Sequence, residues 1–217
     1  MKPKTSTVRI TTSALALSVL LLGGACGGED DEKSPVTSKS AASQSPSSGG
    51  TTDAPSGARV LLSTNFETGA TPPIWQFPVN VTGWEIKVLD QNGLNQLTKG
   101  GGLFTSSQLA QGTAGGDDEA NSRAYLDLYA SEFTKQVQDF EAQEPTTTAL
   151  PSDQGDLEFL QQEATYVGQD GTAYKSRMLA RSLDTNVLVL QYAAPESEWS
   201  EDEWTALTKD IRVQLGS

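Results

Sequence analysis

Three closely spaced apolar runs between Asp156 and Ala193, joined by two turn sequences, specify a β meander. Asp170-Gly171 separates the first run from the second, and Asp184-Thr185-Asn186 separates the second from the third; both supply residues suited to tight hairpin turns. Successive side chains of a strand point to opposite faces, so Val187 and Val189 of the third run share one face while Leu188, Leu190 and Tyr192 share the other. A strand apolar on both faces needs cover on both. The expected fold is therefore α+β, with one antiparallel sheet sandwiched between helices.

Helical cover is legible on either side of the meander. Tyr125, Leu128, Tyr129, Phe133, Val137 and Phe140 recur at spacings of three and four, which predicts an amphipathic helix of about twenty residues ended by Pro145. Asp117, Asp118 and Glu119 suit the positive end of its dipole. At the close of the chain, Ser200 to Glu203 fits a capping box, and Trp199 and Trp204 are placed to form a hydrophobic staple. Trp204, Leu207, Ile211 and Leu215 fall on one stripe, predicting a helix from about Glu201 to Gln214. Ahead of both, "WEIKVLD" at 84–90 alternates as a strand, Asn92-Gly93 turns it, Leu94 to Lys99 pairs back, and "LFTSSQLA" follows Gly100-Gly101-Gly102 as a further strand. The "DQNG" at 90–93 lacks the ligand spacing of a calcium loop and reads as a hairpin turn.

The amino-terminal segment carries an address. Lys2, Lys4 and Arg9 precede an uncharged stretch from Ala14 to Leu22, then Gly23, Gly24 and Ala25, then Cys26, the one cysteine of the chain. A basic start, an apolar middle and small residues at the cut make a secretory signal over 1–25. The apolar run is about nine residues, far short of the roughly 20 that cross a bilayer as a helix. Leu22 to Cys26 resembles the lipobox of bacterial lipoproteins, departing from it in having Gly23 three places before the cysteine. That resemblance implies that the Cys26 thiol receives a diacylglycerol and becomes an acylated, palmitate-type anchor. Residues 26–58 contain Val36 as their single large aliphatic side chain, so they cannot bury enough apolar surface to offset the entropy of ordering. They read as a disordered Ser/Gly/Pro-rich tether with a root-mean-square reach of about 30 Å. Residues 59–217 then suit a single domain.

Charge and composition narrow the chemistry. The chain carries a formal charge of −13 and residues 1–25 hold three basic and no acidic residues, so the remainder is more acidic still. Nucleic acid would repel it. There is no histidine, which removes Ser-His-Asp and Cys-His mechanisms together with histidine-based zinc and copper sites. A Ser-x-x-Lys dyad is also missing, Thr172 before Lys175 being the nearest approach. Hydrolysis of cell-wall glycan by paired carboxylates survives as an alternative without a motif. No catalytic residue, metal ligand or cofactor is expected.

Pro78, Gly83 and Trp84 at the domain entry, the long helix, a meander ending "VLVLQYAAPESEW" with Tyr192, Pro195 and Trp199, and the closing helix together resemble the PsbP-like fold over Ile74 to Leu215. That fold is shared by an extrinsic photosystem subunit and the actinobacterial LpqN-type lipoproteins. The resemblance implies a sheet flanked by helices and a binding or assembly role in the envelope, and it carries over no catalytic motif. The expectation is a lipid-anchored, non-catalytic module on the extracytoplasmic face of the cell membrane, with an envelope protein or small ligand as partner. Its expected contact residues are Trp75, Phe77 and the basic stripe Lys175, Arg177 and Arg181. The competing role for that stripe is cross-strand pairing with Glu158 or Glu163.

Overall fold

A computed structural model describes residues 58–67, 69, 71–110 and 116–216. The segments expected to be a signal peptide and a tether, with Cys26 between them, lie outside the described residues through Gly57. The meander forms as its pattern dictates. Strand β8 (Gly155–Val167) pairs antiparallel with β9 (Ala173–Leu183), which pairs antiparallel with β10 (Asn186–Pro195). Asp184 and Gly171 take positive φ at the two turns. On β10, Val187 and Val189 are buried on one side, and Leu188, Leu190 and Tyr192 on the other.

Eight further strands surround this core among the described residues: β1 (Arg59–Val60), β2 (Ile74–Gln76), β3 (Glu85–Gln91), β4 (Leu94–Lys99), β5 (Gly102–Ala110), β6 (Gln138–Ala142), β7 (Thr146–Ser152) and β11 (Arg212–Gln214). The helices among the described residues are α1 (Asp118–Phe133) and α2 (Glu201–Thr208). The sheet runs β2-β11-β7-β8-β9-β10-β5-β4-β3, with β1 and β6 each paired to β8 off that path. It is mixed rather than wholly antiparallel, since β1 lies parallel to β8 and β11 parallel to β7.

The expected helix-sandwiched α+β architecture is not what forms. The described residues are mostly β, forming a curled half-barrel sheet whose two faces are covered by different means. Over Val187 and Val189, α1 supplies Leu126, Tyr125 and Tyr129. On the opposite face the sheet covers itself. Trp75 of β2, at one end of the strand order, stacks on Phe159 of β8 at 5.6 Å, and its indole N–H donates to the Ser107 carbonyl of β5 at 3.0 Å. The enclosed core holds Phe104, Phe159, Leu179, Leu188, Leu190 and Tyr192. The short α2 adds Trp204 and Leu207 to it rather than forming a layer.

Both helices stop earlier than the apolar spacing predicts. Helix α1 ends at Phe133, where the Thr134 hydroxyl donates back to the Ala130 carbonyl at 2.6 Å. Asp139 then takes a left-handed φ of 49°, and residues 138–142 pair with β8 as β6, setting Phe140 edge-on to Phe133 at 5.8 Å. Helix α2 ends at Thr208. Ile211, Val213 and Leu215, exposed by 0, 1 and 0 %, then alternate inward around β11, which slots between β2 and β7.

Candidate functional site

The curled sheet leaves a seam between β2 and the β3–β4 hairpin. Asn92 and Gly93 connect that hairpin with φ of 53° and 75°, the paired positive values that match the twist of a two-residue turn. The Gly93 carbonyl accepts from Gln108 N–H of β5 at 3.0 Å, and a Cβ at Gly93 would lie 3.1 Å from the Gln108 carbonyl, so the turn sits against β5. Just before the turn the β3–β4 register slips between Val88 and Gln91, and Asp90 takes a φ of 48°. Its N–H leaves the ladder and donates to Asn95 Oδ1 at 2.8 Å. Asn95 Nδ2 in turn donates to Ser106 Oγ at 3.2 Å, and Gln108 Nε2 donates to Asn186 Oδ1 at 3.4 Å.

The result is a groove of about 340 Å³ lined by Ile74, Trp75, Phe77, Leu89, Asp90, Gly93, Asn95 and Gln108. That volume falls at the small end of ligand sites. Its walls are amphipathic. Ile74 and Leu89 stand exposed on the lips, Trp75 is buried at the base, and Phe77 stacks on Phe104 at 5.4 Å. Side-chain amides of Asn95 and Gln108 supply donors and acceptors, and Asp90 is the one ionisable side chain in the lining. Its carboxylate makes no ion pair among the described residues. Such a lining can hold an apolar group and orient an adjoining polar or cationic one. It holds no second carboxylate, as a two-carboxylate hydrolytic site would.

Of the residues singled out from sequence, Trp75 and Phe77 fall in this groove, Trp75 as a buried wall rather than a surface contact. The basic stripe does not come together as one site. Lys175 pairs with Glu163 at 3.0 Å and lies 4.9 Å over the Trp199 ring. Arg177 binds Glu163, and also binds Glu201 through two bonds of 2.8 Å, while its guanidinium covers Trp199 and Trp204 at 5.6 and 5.3 Å. Burial would push the Glu163 carboxyl up, but the hydrogen bonds from Arg177 and Lys175 outweigh it and hold the group below its ordinary range. Arg177 likewise loses to burial less than it gains from Glu201 and Glu163, and its proton is held more tightly than usual. This is the cross-strand pairing role. Arg181, farther along β9, is fully buried and faces no solvent-accessible partner site.

Leu89, Asp90, Asn95, Gln108 and Ile74 were not marked by any sequence signal except the hairpin turn beside them. The capping box forms by half: Ser200 accepts from Glu203 N–H at 3.4 Å, but the Glu203 carboxylate turns instead to Trp84 Nε1 at 2.8 Å and to Lys99. Asp117 caps α1 by accepting from Ala120 N–H at 2.9 Å. Among the described residues no group of three or more Cys, Asp or Glu side chains is placed to hold a metal ion.

Comparison with protein-family models and with curated proteins gives no match. Among solved structures, the chain is similar to LpqN of Mycobacterium tuberculosis, described as involved in cell envelope biogenesis, at 14% identity over 67% of this chain and 86% of that one, with a TM-score of 0.41. It is also similar to a protein of Bacteroides thetaiotaomicron VPI-5482 at 13% identity and a TM-score of 0.40, over 68% of this chain but only 48% of that longer one. Neither TM-score reaches 0.5, and no residue role is transferred from either protein.

Proposed function

We propose that this chain is a lipid-anchored, non-catalytic binding module of the bacterial cell envelope, held on the extracytoplasmic face through Cys26 and receiving an envelope protein or small ligand in the groove between β2 and the β3–β4 hairpin. The observation that carries the binding reading is the groove's lining, in which exposed apolar lips, two side-chain amides and a lone carboxylate converge where the sheet stays open. The placement reading rests on the basic, apolar and small-residue sequence ending at Cys26, followed by a segment too poor in apolar residues to pack. Two acyl chains hold a bilayer stably where one binds only marginally.

The test is a crosslinking pull-down from intact membranes with the native chain, with a Cys26→Ser form and with an Ile74→Ser/Leu89→Ser form. The expected result is a reproducible partner that the native chain recovers and both variants lose. Recovery of the same partner by the groove variant would refute the site, and cleavage of muropeptides by the purified chain would refute the non-catalytic reading. Mass spectrometry showing an unmodified Cys26 would refute the anchor.

A further inference from the structure

We infer that the groove recognises a partner-protein segment presenting a Lys or Arg beside an apolar side chain, with the cation at Asp90 and the apolar group between Ile74 and Leu89. This inference rests on the binding reading above and assigns its chemistry.

Apolar exposure is concentrated here. Of the six exposed large apolar side chains among the described residues, Ile74, Val79, Ile86 and Leu89 lie on β2, on β3 or on the connection between them. Ile86 and Val79 stand outside the groove's own lining. The apolar surface thus extends past a 340 Å³ volume, which suits a ligand that continues along β3 rather than a compact small molecule.

The sheet edges exclude one way of binding such a segment. Strand addition needs a long, regular edge with main-chain groups in register. Strand β2 has three residues. Strand β3 slips register twice against β4, carries Glu85 and Lys87, and turns its Asp90 amide away to Asn95. Bulges, charges and shortness blunt both edges against main-chain pairing. Recognition must therefore pass through side chains.

Charge then selects the partner. Lys87, the nearest basic residue on β3, is occupied by Glu85 at 3.2 Å. The Asp90 carboxylate has no cation among the described residues, and the chain as a whole carries −13. An anionic segment would be repelled both locally and at long range, whereas a cationic one is steered in and given a carboxylate partner at the groove.

The test titrates the full chain, reconstituted in nanodiscs of neutral lipid, with the synthetic peptide acetyl-Gly-Leu-Lys-Leu-Gly-amide and with its twin bearing Glu in place of Lys. The readout is NMR of the Asn95 and Gln108 side-chain amides and of the Leu89 methyls. The Lys peptide should shift these signals and the Glu twin should not. Asp90→Asn should weaken binding about two- to fivefold at low salt, an effect that vanishes near roughly 0.5 M salt. Leu89→Ser should weaken it about tenfold, while Leu128→Ser, an exposed apolar residue on α1, should leave it unchanged. Equal shifts from both peptides, shifts confined to other residues, or no shift with either would overturn the inference. Failure of this inference is distinguishable from failure of the binding reading: membrane capture lost in Ile74→Ser/Leu89→Ser but indifferent to Asp90→Asn and to salt would leave a groove that binds by apolar contact alone.

Discussion

Arg181 Nη2 lies 3.7 Å from Asp118 Oδ2, and the two buried side chains together hold the first described stretch of the domain against the sheet. The β8–β9 ladder ends at the Leu160–Ala180 pair, and β1 runs beside the part of β8 beyond it. Arg181 donates to the carbonyls of Leu62 at 2.5 Å, Leu61 at 3.1 Å and Thr64 at 2.8 Å. Asp118 accepts from Phe66 N–H at 2.8 Å, and its own N–H donates to Asn65 Oδ1 at 3.1 Å. Burial pushes the Asp118 carboxyl above its ordinary value despite Phe66 and Arg181, and lowers the proton affinity of Arg181 despite Asp118. Desolvation therefore outweighs the mutual attraction, and what the pair stabilises is the position of residues 61–66.

Breaking this pair from one side should cost more than removing it whole. Arg181→Ala removes a donor from the Leu61, Leu62 and Thr64 carbonyls and the counter-ion of the buried Asp118 carboxylate, and is expected to cost about 3–5 kcal/mol. Arg181→Met combined with Asp118→Asn should cost less than the sum of the two single changes, because no uncompensated charge remains. Urea unfolding of the native chain, the three single variants and the double variant at neutral pH measures both, and additive losses would contradict the coupling.

Sequence pattern and structure part company for identifiable reasons. The meander was legible because turn residues and period-two burial agree over Asp156 to Ala193. Leu207, Ile211 and Leu215 satisfy a spacing of four, but Ile211, Val213 and Leu215 satisfy a spacing of two equally well, and tertiary pairing of β11 with β2 and β7 decides between them. Val137 and Phe140 continued the helical spacing only because Phe140 packs on Phe133 from a strand. A second helical layer is absent among the described residues because the curled sheet covers its own concave face, a closure that depends on β2 meeting β5 across 32 residues and has no local signature. The same closure makes the groove, so Ile74, Leu89, Asn95 and Gln108 could not be grouped in advance. Lys175, Arg177 and Arg181 share a strand, yet Lys175 and Arg177 meet on Glu163 of β8, with Glu201 of α2 added for Arg177, while Arg181 turns to the segment after β1, so the stripe divides between two environments.

Gly155 should not tolerate a side chain. Its φ is 115°, and a Cβ there would strike the Ala58 carbonyl, which accepts from Asp156 N–H at 2.9 Å where β1 enters the sheet. Gly155→Ala is expected to cost about 1–3 kcal/mol. Amide exchange should locate the loss at residues 58–62, leaving β10 protected. Uniform loosening of the whole sheet would contradict this account.

Glu163 makes stability acid-sensitive in a defined window. Its carboxyl is held below the ordinary value of 4.5, burial opposing and the Arg177 and Lys175 hydrogen bonds prevailing. A carboxylate whose folded-state pKa is depressed contributes stability above its unfolded value and loses it as pH falls through the folded one. Glu163→Gln should therefore destabilise by about 1–3 kcal/mol near pH 6, and the gap to the native chain should close toward about pH 3. Urea midpoints at the two pH values check this; a gap that persists in acid would assign the loss to packing instead.

Trp75 ties sheet closure to the groove, and two substitutions separate its roles. Trp75→Phe keeps a ring to stack on Phe159 but removes the indole donor to the Ser107 carbonyl, which should cost about 1 kcal/mol and leave the fold intact. Trp75→Ala also removes the wall between β2 and the concave core and should cost about 3–5 kcal/mol. If the indole bond is what holds β2 against β5, the Phe variant should show faster amide exchange at Ile74 and Gln76 and altered side-chain amide signals at Asn95 and Gln108, with β8 to β10 unchanged. Unaltered groove signals in that variant would mean that β11 alone positions β2, and that the seam stays shaped without its bridging hydrogen bond.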